Sequence, residues 1–395
     1  MRLIGTMRVN MSNRFERVSC IDSYQLEILM KLFLTLFVLV LFSCGENGDE
    51  KLVGESVSEQ IERGKTLFAM PVSGGNVFAC VVCHGLKGEG AFRRPGHPMT
   101  GVVGRATYKN GQLDSLPEAI NSCLDEWMKA PVWEKDSEDM LALIALLERD
   151  GKGSSEEIKF DVVQPPSDLT GGEIEQGRGV FNESCAVCHG VDAVGSPLAP
   201  SLSGRTLTLE YIAERTRLSG APKSEIYEDL TGGIMPFWGK DRLSDKELID
   251  VSAFLVDLKD RVVDPNNQME PNNGTNNGNE RKCEKTHPKI GQELVFQTHF
   301  HGVSGKAKIV DNCTIQISGF NYDGNGIDVR FWSGKGTSPD FDGGYALSED
   351  LLKTGGYSNV SYTIQLTEEQ SLDDIDGISV WCVAVGISFG DGRFE

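Results

Sequence analysis

The sequence predicts a protein of several domains, in which two all-α domains precede an all-β sandwich domain. Three observations support this prediction. A pattern of amphipathic helix, Cys-x-x-Cys-His, long loop and second amphipathic helix occurs twice between residues 58 and 262. An Asn/Gly-rich linker follows at 263–288, and beyond it apolar residues alternate with polar ones, which is the period of β-strands. At 395 residues the chain is long enough for each part to have its own core.

The repeated motif is the strongest chemical signal in the chain. Its two copies are Cys80-Val81-Val82-Cys83-His84 and Cys185-Ala186-Val187-Cys188-His189. Cys-x-x-Cys-His is the signature of covalent c-type haem attachment. Two thiols about one helical turn apart can each form a thioether to the same porphyrin, and the histidine is then placed beneath the iron. The sequence therefore predicts two covalently bound haem c groups.

Helical signals surround both motifs. Ser56 and Glu59 have capping-box spacing, and Thr170 and Glu173 repeat that spacing in front of the second copy. Closing helices are predicted at 140–147, capped by Ser137, and at 248–258, capped by Ser244 with Glu247. Helix, haem motif, loop and closing helix resemble the cytochrome c fold. We therefore expect cytochrome c domains at 58–152 and 173–262, joined by a Gly/Ser/Pro-containing linker at 153–172.

The N-terminal part of the chain predicts export and anchoring. The run after Met30-Lys31 has the charged start and short apolar core of a secretory signal, and we expect translation to begin at Met30. The run ends at Cys44, within a segment that resembles a bacterial lipoprotein cleavage box, so residues 1–44 are interpreted as a leader and Cys44 as the lipidated residue. An uncleaved anchor helix is the alternative. Either reading places the protein in the periplasm or at the cell surface, behind a flexible tether at 45–57.

The charge of the chain limits its partners. The net charge is −20 and the pI is near 4.8. Nucleic acids and anionic lipid surfaces require basic patches, so the charge argues against both. A cationic redox protein is the partner that suits this composition.

The residue opposite each haem histidine decides the reactivity of the iron. For the second haem, Met235 in Gly233-Ile234-Met235-Pro236 is the candidate, because a thioether suits an electron carrier and the Met-Pro pair resembles the distal loop of ordinary class I cytochromes c. The alternative is that Met235 only fills the core.

For the first haem the candidates are Cys123 and Met128. The internal repeat nominates Met128, which lies nine residues before Ser137 as Met235 lies nine before Ser244. Met99, His97 or an open position are further alternatives. Cys123 is nominated instead by a resemblance. The segment from Ile120 to Met140 is similar to the distal segment of thiosulfate dehydrogenases and of the related sulfur-oxidation cytochrome, in which the cysteine at this position binds iron.

That resemblance implies a His/Cys haem first and a His/Met haem second, and it offers an enzymatic alternative to electron relay. The alternative is oxidation of a sulfur compound such as thiosulfate at the first haem, with Cys123 as the catalytic ligand and Arg93, Arg94 and Arg105 as an anion site. Surface positions or haem-propionate contacts are the commoner explanation for such arginines. Cys123 could equally be a buried thiol or half of a disulfide. Trp127 stands where the family usually has a small polar residue, which puts turnover in doubt.

The C-terminal region, 289–395, has alternating strands such as 314–318, 327–331 and 362–366, and a continuously apolar run from Ile378 to Phe389 that predicts one strand buried on both faces. Its motifs, including Val380-Trp381-Cys382, resemble the DM-thirteen electron-transfer domain. Cys382 aligns with that family's characteristic cysteine, as either a redox group or an inert thiol. Cys283, Cys313 and Cys382 can close at most one disulfide. His299 and His301 would share a face of a strand and could hold a metal, although the sequence offers no obvious third ligand.

Overall fold

The structure is a computed structural model that describes residues 55–88, 92–222, 224–260, 283–351 and 355–395. The predicted leader, Met30, Cys44 and most of the tether and Asn/Gly-rich linker lie outside the described residues. Within the described residues, no helix combines the length and apolar character needed to cross a bilayer. Residues from Ser56 to Glu395 pack together as one unit.

The first repeat contains four α-helices among the described residues. They are α1 (Val57–Ala69), α2 (Cys80–Cys83), α3 (Leu116–Glu126) and α4 (Glu138–Asp150), with a 3-10 turn at Val102–Gly104. The predicted capping box at Ser56 and Glu59 begins α1, and the Ser137 side chain caps α4. Helix α1 crosses α4 at Gly64, where a Cβ would overlap the backbone oxygen of Ala142. Arg63 of α1 also donates to Asp139 of α4 at 2.8 Å.

The second repeat has the same plan. Its helices are α5 (Ile174–Ser184), α6 (Ala186–His189), α7 (Leu209–Leu218) and α8 (Asp245–Asp257), with 3-10 turns at Val191–Ala193 and Leu258–Asp260. Helices α5 and α8 meet at Gly177, which lies against the backbone of Asp250 as Gly64 lies against Ala142. The predicted box at Ser244 and Glu247 caps α8.

The predicted capping box at Thr170 and Glu173 is wrong. Helix α5 has Glu173 as its N-cap, with no side-chain cap from within the segment. Thr170 instead bonds Asp168, and the backbone N–H of Glu173 donates to the carboxylate of Asp250 at 2.8 Å. Asp250 of α8 therefore satisfies the N–H of the N-cap residue, a tertiary contact that spacing within α5 does not reveal.

The C-terminal domain is all-β, with two four-stranded antiparallel sheets. Its strands are β1 (Glu293–Val295), β2 (Gln297–Thr298), β3 (Ser304–Asp311), β4 (Thr314–Tyr322), β5 (Val329–Gly334), β6 (Tyr357–Gln365), β7 (Gly377–Cys382) and β8 (Ile387–Arg393). The sheet orders are β1-β3-β4-β6 and β2-β8-β7-β5. The two sheets face each other across an aromatic core, in which the rings of Phe320 and Phe331 have centroids 4.9 Å apart. The predicted sandwich is confirmed.

The run from Ile378 to Phe389 is not one strand. It forms most of the hairpin β7–β8, whose turn contains Gly386 in the left-handed region at φ 71°. All six residues of β7 are buried because this strand lies between β5 and β8 in the centre of its sheet. A cleft of about 580 Å³ lies between this domain and α1, lined by residues that include Lys65, Phe341 and Trp381.

Candidate haem-binding site

The first Cys-x-x-Cys-His motif forms the short helix α2 and presents its histidine at the end of that helix. The imidazole Nδ1 of His84 hydrogen-bonds the backbone oxygen of His97 at 2.8 Å, which leaves Nε2 for a metal. Burial lowers the pKa of His84 to about 4, so the ring is neutral, as an iron ligand must be. Gly96 packs against the ring, and a Cβ there would overlap His84 Cε1.

A cavity of about 250 Å³ opens beside this motif. Cys80, Cys83 and His84 line it, and so do Cys123 and Met128. Apolar side chains supply most of the remaining wall, among them Phe68, Phe78, Leu116, Leu124, Leu143 and Leu147. The motif and the two candidate sixth ligands therefore share one apolar cavity.

The polar atoms of this cavity fit a haem. Lys109 Nζ and Arg105 Nε are buried, line the cavity and have no hydrogen-bond partner among the described residues. Lys109 lies in a tight turn, at φ 50°, between the bridged residues Tyr108 and Leu113. Nη2 of Arg105 donates to the backbone oxygens of Pro98 and Thr100, but the positive charges of Arg105 and Lys109 are paired with no carboxylate in the part of the chain that the structure describes. Buried cations require anions, and haem propionates would supply them. Two thiols, a neutral imidazole, an apolar wall and two cations together match the chemistry of covalently attached haem.

Cys123 and Met128 both remain available as the sixth ligand. Cys123 lies in the last turn of α3, and its backbone oxygen accepts a hydrogen bond from the Met128 N–H at 3.0 Å. Met128 is 4% exposed and its backbone oxygen accepts from Asn76 at 2.7 Å. The imidazole of His97, an alternative ligand in the sequence, is held by Asp241 at 2.6 Å. Met99, the remaining alternative, also lines the cavity.

The second repeat and the linker close the far part of this cavity, which the sequence did not predict. Phe160 of the linker and Tyr227, Pro236 and Phe237 of the second repeat are lining residues. The rings of Phe160, Tyr227 and Phe237 are 5.4–6.0 Å apart, and Phe237 is 6.3 Å from Trp127. Burial, and after it the charge of Cys123, raises the pKa of Tyr227. The available signal was Phe160, the one aromatic residue in the linker 153–172.

The three arginines do not form a common anion site. Arg93 donates to Glu247 at 2.7 Å and to Glu183 at 3.1 Å, so it joins the two repeats. Arg94 is 1% exposed. Its backbone oxygen accepts two bonds from Arg242, at 3.0 and 2.6 Å. Of the three, Arg105 lines the cavity.

The second motif repeats the geometry of the first. Helix α6 ends at His189, and Nδ1 of this histidine hydrogen-bonds the backbone oxygen of Pro200 at 3.1 Å. Burial lowers the pKa of His189 as it lowers that of His84. Burial, followed by the charge of Cys188, raises the pKa of Cys83. Cys188 and Val187 also pack on the core of the first repeat.

Met235, the candidate sixth ligand of the second haem, is partly buried in a loop between α7 and α8. Gly233 has φ 127° in this loop, and Arg215 donates to the Gly232 oxygen at 2.7 Å. The next two residues, Pro236 and Phe237, line the first cavity. The loop that carries Met235 therefore also forms a wall of the first site.

The geometry of Cys283, Cys313 and Cys382 indicates structural roles. Cys283 and Cys313 form a disulfide with a Cα–Cα distance of 5.6 Å. Cys382 is buried, its Sγ donates to the Ile327 oxygen at 3.4 Å, and burial raises its pKa to about 12. A buried, protonated thiol is a poor redox group.

The prediction that His299 and His301 share a face of a strand is wrong. Strand β2 ends at Thr298, and His301 has a left-handed φ of 56°, so the two rings do not share the face of a strand. His299 bonds Asp391 at 2.8 Å and His301 bonds Asp323 at 2.8 Å. Each ring has its own carboxylate partner.

Comparison with known families supports a cytochrome c domain and an electron-transfer domain in this chain. Residues 172–255 match the family described as "Cytochrome C oxidase, cbb3-type, subunit III". Residues 295–394 match "Electron transfer DM13". This match lies within residues 289–395, whose motifs predict a DM-thirteen domain.

Three curated relatives illustrate the similarity. A thiosulfate dehydrogenase of Psychrobacter arcticus is 25% identical over 224 residues, which are 52% of this chain and 63% of that protein. The cbb3-type cytochrome c oxidase subunit CcoP of Azospirillum brasilense is 24% identical over 227 residues, which are 54% of this chain and 72% of CcoP. Protein Skeletor, isoforms B/C, of Drosophila melanogaster is 36% identical over 110 residues, 27% of this chain and 14% of that protein.

The chain thus spans less than two thirds of the thiosulfate dehydrogenase and a small part of Skeletor. Its middle region matches a cytochrome c family and its C-terminal region matches an electron-transfer domain. A cytochrome c domain implies covalently bound haem c and a role in electron transfer. The chain therefore combines a cytochrome c domain of the cbb3 subunit III type with a C-terminal DM13 electron-transfer domain.

Proposed function

We propose that this chain is a dihaem c-type cytochrome that relays electrons outside the cytoplasm. Its units are cytochrome c domains at 58–152 and 173–262 and the DM13 domain at 289–395. One observation carries the proposal: both Cys-x-x-Cys-His motifs lie on short helices, and each histidine has its Nδ1 bonded to a backbone carbonyl. The family comparison covers the second repeat. The matching geometry at the first motif supports a second haem site there.

The residues that would hold the two haems follow from the motifs. Cys80, Cys83 and His84 bind the first, and Cys185, Cys188 and His189 bind the second. A covalently attached haem supplies reversible one-electron chemistry between ferric and ferrous iron. The protein provides dry surroundings, and Lys109 and Arg105 provide charge for the propionates of the first haem.

The two sites differ in their sixth ligands. We assign Met235 to the second iron and Cys123 to the first, with Met128 as the alternative. A thiolate favours ferric iron and a thioether favours ferrous iron, so the two sites would have different potentials. Val187 and Cys188 of the second motif share one hydrophobic core with Val81 and Val82 of the first motif, and this shared core supports electron exchange between the sites.

Localisation belongs to the same proposal. The Cys283–Cys313 disulfide suits an oxidising compartment. Export through a signal that starts at Met30, and lipidation at Cys44, would place the protein on a membrane facing the periplasm or the cell surface. Cationic redox proteins are the proposed partners, since the chain carries a net charge of −20.

Oxidation of a small sulfur anion is the second candidate function. The similarity to a thiosulfate dehydrogenase and the position of Cys123 in the first cavity favour it. The aromatic cover of Trp127, Tyr227 and Phe237 disfavours it, since apolar rings occupy the cavity wall where a charged substrate would have to be solvated or paired.

Two measurements test these functions. Haem stoichiometry is determined for the wild type and for the double variants C80A/C83A and C185A/C188A. We expect two haems per chain in the wild type and one in each variant. One haem in the wild type, or an unchanged count in either variant, contradicts the dihaem assignment. Reduction of the fully loaded protein by thiosulfate, with tetrathionate as product, would establish the enzymatic function in place of simple relay.

A further inference from the structure

Glu126 is a buried carboxylate whose observed partners lie in the other repeat. It is the last residue of α3, three positions after Cys123, and it is 5% exposed. Its Oε2 accepts a hydrogen bond from Ser224 Oγ at 3.0 Å, and its Oε1 accepts from the Glu225 N–H at 2.8 Å. Burying a carboxylate is costly unless both oxygens are satisfied, so these bonds hold the segment that begins at Ser224 against α3.

Ser224 also fixes the backbone of the residues that follow it. Besides donating to Glu126, its Oγ accepts from the N–H groups of Ile226 at 3.3 Å and Tyr227 at 3.0 Å. The Tyr227 oxygen then accepts from the Leu230 N–H at 3.1 Å. Consecutive turns of this kind fix the backbone at Tyr227, from which its side chain projects.

Tyr227 and Phe237 connect the same segment to the first cavity. Both line it, their ring centroids are 5.4 Å apart, and Phe237 also contacts Trp127. Lys109 Nζ lies 5.8 Å from the centre of the Tyr227 ring. In the sequence, Met235 lies between Tyr227 and Phe237, and both of these residues line the first cavity. The backbone on both sides of Met235 therefore contacts the first site.

We propose that residues 224–237 are a shared loop that serves both haem sites, and that Glu126 is the positioning residue that holds this loop. The inference rests on the proposed function, since it requires haems at both motifs and Met235 as a ligand. Through the loop, Glu126 keeps the aromatic cover on the first site and keeps Met235 in place for the second.

The consequence is that one substitution in the first repeat alters both haem sites. Removing the Glu126 carboxylate frees the Ser224 hydroxyl and the Glu225 N–H, and the turn at Tyr227 loses its support. Water then reaches the first cavity, and Met235 loses its fixed position. Solvent access and axial ligation are two of the main determinants of haem potential, so both potentials change.

The test uses the full, haem-loaded chain. Glu126→Ala is compared with Asp125→Ala, which removes an exposed carboxylate from the neighbouring position of the same helix. The readouts are the ligand-field spectrum and the midpoint potential of each haem. In Glu126→Ala we expect loss or weakening of the methionine-ligation signature, and a change of at least about tenfold in the reduction equilibrium of both haems, about 59 mV each. Asp125→Ala should match the wild type.

Ser224→Ala provides an independent variant if Glu126→Ala fails to load haem. It removes the hydroxyl that joins Glu126 to Tyr227, and we expect the same changes at both haems, smaller in size. Glu126→Gln keeps an acceptor and should recover part of the wild-type signal. A change confined to one haem, or no change, in the variant that loads overturns the inference. A wild type without two haems or without a methionine signature refutes the proposed function instead.

Discussion

His97 and Asp241 are hydrogen-bonded across the two helical repeats, with 2.6 Å between imidazole Nε2 and carboxylate Oδ2. The backbone oxygen of His97 also accepts the bond from Nδ1 of His84, and this bond orients the histidine of the first Cys-x-x-Cys-His motif. One residue therefore joins the proximal side of the first site to the second repeat.

Replacing Asp241 should weaken this junction. We expect Asp241→Ala to lower the free energy of unfolding by about 1 kcal/mol, because the bond is charge-assisted but the carboxylate is partly exposed. Asp229→Ala, an exposed acid in the same loop, is the control. Denaturant titration of the loaded protein measures both, and equal stability of the two variants would contradict the role of the junction.

Arg93 should make the contact between the repeats sensitive to acid. Burial pushes the pKa of Glu247 upward, but hydrogen bonds from Arg93 and Ser244 hold it below its ordinary value of 4.5. A carboxyl with a lowered pKa in the folded state contributes stability above pH 4.5 and loses it as the pH falls through the folded value.

We expect Arg93→Ala to cost about 1 kcal/mol near neutral pH, since its partners are partly exposed. Its difference from the wild type should shrink as the pH falls below about 4.5. Unfolding curves recorded between neutral pH and pH 3 measure this difference in the free energy of unfolding. A difference that stays constant with pH would show that Arg93 acts by packing alone.

The ligand assignment at the first haem is tested by substitution of Cys123. We expect Cys123→Ala to abolish the thiolate spectrum and to raise the midpoint potential of that haem by at least about 59 mV, because an anionic ligand that favours ferric iron is lost. Met128→Leu is the matched variant and should leave the spectrum intact. The opposite pattern would assign Met128 as the ligand.

Lys109 should tune the first haem through its charge. At an effective dielectric constant of about 20, a buried positive charge near a haem favours the reduced iron by on the order of 1 kcal/mol, or tens of millivolts. We therefore expect Lys109→Met to lower the potential of the first haem. Lys152→Met, at an exposed position, should change neither potential. Redox titration distinguishes the variants, and an unchanged potential in Lys109→Met would remove Lys109 from the propionate site.

The glycines of α5 offer a comparison within one helix. A Cβ at Gly177 would overlap the Asp250 backbone, whereas a Cβ at Gly179 meets no atom within 4 Å. We expect Gly177→Ala to destabilise the fold by about 1–3 kcal/mol and Gly179→Ala to stabilise it by about 0.5–1 kcal/mol. Thermal unfolding measures both. Equal effects would mean that α5 and α8 can separate without cost.

Local patterns predicted much of the fold. Capping boxes at Ser56 and Ser244, the alternating strands and the region of the DM13 domain could be read from neighbouring residues, because the interactions that define them span a few positions. The prediction failed at Glu173, whose N–H is bonded by Asp250 of another helix instead of forming a local capping box. It also failed at the run from Ile378, where Gly386 turns the chain inside an apolar stretch.

The sequence by itself determined where haem attachment is proposed, because thioether attachment and histidine ligation require a fixed local spacing, which occurs at Cys80–His84 and Cys185–His189. Only the tertiary structure decided what surrounds those motifs. It placed Tyr227 and Phe237 over the first cavity and bonded Glu126 to Ser224, 98 positions away. Such contacts depend on how two repeats pack against each other, and packing between distant segments leaves no periodic pattern in the chain.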